Sequence, residues 1–121
     1  MLKIKLVLSI FIVTVLLSLS CSKGGSDSEL VDCATVSNKA FAAHVNPIIQ
    51  SSCNIGGCHS AGSSNGPGAL TNYAEIFSAR FQIREAVRTG RMPQGSSLSV
   101  GQKNSIMCWI DGGAPNNYVS C

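Results

Sequence analysis

The chain has 121 residues, with six cysteines, twelve glycines and only 6% aromatic residues. Its formal net charge of +3 includes Lys3 and Lys5 of a leader-like start. Without those two, seven Lys and Arg face six Asp and Glu, which excludes a polybasic nucleic-acid binder, because phosphate binding needs a sustained cationic excess.

After Lys3 and Lys5, an apolar run from Leu6 to Leu19 is broken only by Ser9, Thr14 and Ser18. This is the pattern of a secretory signal, too short for a comfortable membrane span. Ser20-Cys21 at its end resembles the lipobox of bacterial lipoproteins, although Ser18 stands where the commonest box has Leu. The resemblance implies that Cys21 is acylated and becomes the first residue of the mature chain. A soluble secreted protein or an uncleaved anchor are the alternatives. The organisation expected is a signal peptide over 1–20, a lipid-anchored flexible tether over 21–32 and one folded domain over 33–121. Such a domain has a modest core and benefits from a staple or a large apolar cofactor.

Ser37 can cap a first helix whose Phe41, Val45, Ile48 and Ile49 share one face, with a break or a restarted turn at Asn46-Pro47. A glycine-rich loop runs from Cys53 to Leu70. Asn72 and Glu75 have capping-box spacing for a second helix carrying Ile76, Ile83 and Val87 and stopping at Gly90, with a possible interruption at Arg80-Phe81. Another loop leads to Ser99 and Gln102, a second capping box, and a last helix that buries Ile106, Trp109 and Ile110 before Gly112-Gly113 and Pro115. No stretch alternates as a strand would. The fold class expected is all-α.

The chemistry lies in Cys53-Asn54-Ile55-Gly56-Gly57-Cys58-His59. Attachment of haem c needs two thiols to add across the vinyl groups and an imidazole directly after the second thiol to reach the iron. The usual spacing has two residues between the cysteines; here there are four, and Gly56-Gly57 gives the longer loop its freedom. A Cys53–Cys58 disulfide with an incidental His59, and a zinc site, are the rival readings. Met92, in Arg91-Met92-Pro93, offers a soft thioether for the opposite face of the iron; a core methionine is the plain alternative. Met107 lies in a helix beside Trp109, where packing accounts for it. His44, off the apolar stripe of the first helix, is expected to be solvated.

Several segments together carry a resemblance to one family: Val45-Asn46-Pro47-Ile48-Ile49-Gln50, Cys58-His59, Gly66-Pro67-Gly68-Ala69-Leu70-Thr71-Asn72-Tyr73, Gly90-Arg91-Met92-Pro93 and Trp109 to Asn117. They look like the small class I-like mono-haem cytochrome c domain found in Bacteroidetes-type lipoproteins, over Phe41 to Asn117. The resemblance implies a helical domain around one covalent haem c, with Cys53 and Cys58 as thioethers, His59 as proximal ligand and Met92 as distal ligand. The four-residue cysteine spacing departs from the family's pattern. In class I folds the first and last helices cross, which implies a Cys33–Cys108 disulfide and leaves Cys121 free or intermolecular; Cys33–Cys121 is the alternative pairing. Cys108 itself is expected to point away from the buried stripe.

The function implied is one-electron transfer, not catalysis. Its partners would be redox proteins, and the membrane through the lipid on Cys21, with no nucleic acid. The location implied is the periplasmic or cell-surface side of a bacterial membrane; Ser22 after Cys21 points to the outer membrane, by analogy with enterobacterial sorting. A haem sensor whose Met92 leaves the iron, and a haem-free disulfide-stapled surface lipoprotein, are the competing functions.

Overall fold

The computed structural model describes residues 31–117. The signal, Cys21, most of the tether and Cys121 lie outside the described residues. Within them the chain is helical, without strands. A π-helical turn, Phe41–Val45, runs directly into α1 (Asn46–Ser52); α2 is Tyr73–Arg88 and α3 is Val100–Asp111.

The first helical segment begins later than Ser37. Ala40 is extended and provides no side-chain cap. The Phe41 N–H instead donates to Asn117 Oδ1 at 2.6 Å, so the far end of the domain caps this helix. Asn46-Pro47 marks a restarted turn, the point where the π turn ends and α1 begins. Pro47 sits in the first turn of α1, where its missing N–H is least costly, and the wider turn before it carries the apolar stripe across. Phe41, Val45 and Ile49 are buried on that stripe.

Asn72 caps α2 by accepting from the Glu75 N–H at 3.1 Å. The reciprocal bond is displaced by one residue: Glu75 Oε2 accepts from the Thr71 N–H at 2.7 Å and from the Thr71 hydroxyl at 2.8 Å. The helix passes Arg80-Phe81 without interruption. There the Arg80 guanidinium lies 4.0 Å from the Phe77 ring centroid and 4.4 Å from that of Phe81. Gly90 follows the last turn with φ +70°, a conformation costly for any other residue. At α3 the capping box is complete, with Gln102 N–H to Ser99 Oγ at 3.2 Å and Ser99 N–H to Gln102 Oε1 at 2.8 Å.

The π turn packs on α3, and α3 packs on α2. Phe41 stands at their meeting point, its ring centroid 5.0 Å from Tyr73 and 5.2 Å from Trp109. The chain after α3 folds back over this cluster. Tyr73 donates its hydroxyl to Ala114 O at 2.9 Å, and Trp109 Nε1 donates to Pro115 O at 3.0 Å. Both aromatic polar atoms thereby gain partners without opening the core. Arg84 clamps α2 to α3 through a two-pronged pair with Asp111, at 2.6 and 2.9 Å.

Cys33 and Cys108 are joined by a disulfide, with Cα atoms 5.3 Å apart. Cys108, off the apolar stripe of α3, is only 2% exposed. Its side chain is directed to Cys33 of the segment before the first helix, and that pairing covers it.

Candidate functional site

Cys53 ends α1, its N–H still bonded to Ile49 O at 2.8 Å. The next six residues close on themselves. The Ile55 N–H and the His59 N–H both donate to Cys53 O, at 2.9 and 3.1 Å, and the Cys58 N–H donates to Ile55 O at 2.9 Å. The two additional residues between the cysteines are thus taken up by a turn, and Gly57 makes it possible at φ +83°. His59 is returned to the end of α1 beside Cys53.

A second loop fixes this one from outside. Asn65 Nδ2 donates to the carbonyls of Gly57 and Cys58, both at 3.0 Å, and Ser63 Oγ also donates to Cys58 O. The Leu70 N–H donates to His59 O at 2.9 Å, and Gln50 from α1 reaches Leu70 O at 3.2 Å. The His59 ring, in a residue only 6% exposed, places Nδ1 2.8 Å from Gly68 O. A carbonyl can only accept, so Nδ1 carries a proton, and in the neutral ring Nε2 presents a lone pair. Nε2 has no hydrogen-bond partner among the described residues.

Cys53 and Cys58 are free thiols, both half-buried. Burial, and then the neighbouring Cys58, pushes the Cys53 thiol above its ordinary value. The two sulfurs are not bonded to each other. No three His, Cys, Asp or Glu side chains gather to hold a metal ion among the described residues, so the zinc reading gains no geometric support. The donor set does fit a haem c. Two free thiols flank one turn, and beside them stands a buried imidazole whose tautomer leaves Nε2 available for iron.

Met92 is half-buried just after α2, its N–H bonded to Ala86 O at 3.2 Å, which ties the Met-Pro loop to the end of the helix. Met107 is partly buried against the core. His44 is half-buried, and its Nδ1 is buried without a hydrogen-bond partner among the described residues. It lines a groove of about 480 Å³ between residues 35–38 and the start of α3. A cleft of about 440 Å³ lies between Pro67 and Ala69 on one side and Ala74, Ser78, Ala79 and Gln82 of α2 on the other. It adjoins Gly68, but Cys53, Cys58, His59 and Met92 do not line it.

Sequence spacing singled out the two thiols and the imidazole but missed the residues that hold them. Gly68, Asn65 and Ser63 act on His59 and Cys58 through backbone carbonyls and loop closure, which leave no periodic trace. The Gly66-Pro67-Gly68 run was their only signal. No protein-family model, curated protein or solved structure matches the chain.

Proposed function

We propose that the domain is a mono-haem c-type cytochrome that carries single electrons, with Cys53 and Cys58 as thioether donors, His59 as proximal ligand and Met92 as distal ligand. The observation that carries this reading is the 2.8 Å contact between His59 Nδ1 and Gly68 O in a buried ring next to two free cysteines. A ligand histidine needs its second nitrogen held in this manner, because the hydrogen bond fixes tautomer and ring plane and raises the basicity of the coordinating nitrogen.

A haem held by His59 and Met92 would supply reversible one-electron chemistry at a relatively high potential. The chain's own residues supply the rest. Gly68 O would hold the ring of a ligating His59 in place. The turn closed on Cys53 O keeps the two thiols and the imidazole on one short segment. The thioether of Met92 is a soft donor that favours the reduced state. Outside the described residues, Cys21 would carry the lipid that holds the protein on the periplasmic or cell-surface side of a bacterial membrane, and the partners would be redox proteins. We read the protein as a carrier and not an enzyme.

The test is expression with a haem-maturation system, followed by intact mass and visible spectrum. The wild type should gain the mass of one haem; Cys53→Ala/Cys58→Ala should gain none, and Cys33→Ala should still gain it. A wild-type chain that emerges from maturation with no haem mass would sink the reading.

A further inference from the structure

One side chain closes the lock on the turn that carries Cys58 and His59. Asn65 Nδ2 donates to the carbonyls of Gly57 and Cys58, both at 3.0 Å. Carbonyls only accept, so the two hydrogens of a single amide serve both bonds. The Asn65 backbone reaches the imidazole as well. Its carbonyl accepts from the Gly68 N–H, and Gly68 O is the acceptor 2.8 Å from His59 Nδ1. The residue after Asn65 is a glycine, and this is the only Asn-Gly step in the chain. Both residues are exposed. A methyl group on Gly66 would meet nothing within 4 Å, and the Gly66 N–H makes no hydrogen bond among the described residues. The nitrogen next to the Asn65 side chain is therefore neither shielded nor engaged.

We propose that Asn65 is a deamidation site and that its conversion releases the turn carrying Cys53, Cys58 and His59. Asparagine amides are thermolabile, and a following glycine leaves the backbone nitrogen unhindered. The Gly66 nitrogen gives up its proton to solvent base and bonds to Asn65 Cγ. The Cγ–Nδ2 bond breaks, and Nδ2 leaves as ammonia. Water then opens the cyclic imide in one of two ways. Cleavage between Gly66 N and Cγ leaves an aspartate side chain; cleavage between Gly66 N and the Asn65 backbone carbon leaves an isoaspartate link. Water is the sole co-reactant, and nothing is oxidised or reduced. In the first product a carboxylate, which can only accept, faces two carbonyl oxygens, so both amide bonds are lost and the oxygens repel. In the second, the main chain is one methylene longer directly before Gly66-Pro67-Gly68, which displaces the carbonyl that fixes the His59 ring. Asp111-Gly112 is the nearest chemical rival, and its surroundings protect it. Arg84 holds that carboxylate at 2.6 and 2.9 Å, and the Gly112 N–H is bonded to Cys108 O at 3.0 Å.

This inference does not rest on the electron-carrier reading, and its test uses the full chain without haem. The protein is aged in warm, mildly alkaline buffer and peptide-mapped. The peptide holding Asn65 should gain the mass of an amide-to-acid exchange and split into aspartate and isoaspartate forms. Gly66→Ala should slow this several-fold; the position has room for the methyl group and its φ lies outside the left-handed region. Hydrogen exchange over residues 53–59 should be several-fold faster in Asn65→Asp, and in the aged wild type, than in fresh protein, with exchange in α2 unchanged. Aged Gly66→Ala protein should keep the slow exchange, so the result does not depend on how well the Asn65 variant folds. Other asparagines converting while Asn65 stays intact would overturn the site. Exchange over residues 53–59 that is unmoved in the aged wild type, or that accelerates equally in α2, would overturn the release.

Discussion

His59 shows how much of a site can rest on one backbone oxygen. Its ring is almost wholly buried, and Gly68 O dictates which nitrogen keeps the proton. In the proposed haem reading the second iron ligand would be Met92, and that ligand separates carrier from sensor. Met92→Ala in the haem-loaded protein should abolish the weak red absorption of sulfur-bound ferric haem, admit carbon monoxide to the reduced iron and lower the reduction potential, since the soft donor favours the ferrous state. Met107→Leu, close to volume-conserving at a partly buried core position, should leave all three nearly unchanged. His44→Ala should also leave them unchanged. A Met92→Ala protein that stays inert to carbon monoxide, with the His44→Ala protein becoming reactive, would establish bis-histidine ligation in place of the proposed pair.

The helices illustrate which local signals can be trusted. Ser99 and Gln102 form their box because both partners are adjacent in sequence and nothing else competes for them. Ser99→Ala should therefore cost about 1 kcal/mol in thermal or denaturant unfolding, with no change at the site. Asn72 and Glu75 had the same spacing, but the Thr71 hydroxyl offers Glu75 a second donor one residue earlier, and the carboxylate takes it. Those bonds from Thr71 hold the Glu75 carboxyl below the ordinary glutamate range. A depressed folded value means stabilisation that is present above the unfolded value and lost as pH falls through the folded one. Melting temperature should accordingly drop on acidification below the usual glutamate range, and Glu75→Gln should flatten part of that drop. An identical pH profile for the variant would show that the Thr71 bonds do not persist in solution. Ser37 failed as a cap for a reason no sequence window contains: Asn117 supplies the bond. Periodicity made Phe41, Val45, Ile49, Ile76, Ile83, Val87, Ile106 and Trp109 legible as core. The loop that holds His59 was not legible, because its bonds run between carbonyls and small polar side chains without any repeat.

At the scale of the whole domain, side-chain bonds tie the first and last described segments to the helices. Asn117 caps the first helical segment, Tyr73 and Trp109 hold the chain after α3, and the Cys33–Cys108 disulfide ties the segment before the first helix to α3. A domain this small buries only a modest core, so a cross-link spanning 75 residues should be a large part of its stability. Loop-closure entropy for a loop of that size puts the contribution at about 4 kcal/mol, most of it exerted on the unfolded chain. Cys33→Ser/Cys108→Ser should thus melt on the order of 20 °C lower, given the usual few degrees per kcal/mol in domains under a hundred residues. Cys53, Cys58 and His59 are held by hydrogen bonds within their own turn and from residues 63–70, and none of these bonds involves Cys33 or Cys108, so the double variant should still acquire one covalent haem at low temperature. The two readouts separate the functions of the four cysteines: Cys33 and Cys108 should move stability without moving haem content, and Cys53 and Cys58 should abolish haem content. A double variant that melts within about 1 kcal/mol of the wild type would show that the unfolded chain is already compact enough to make the staple redundant.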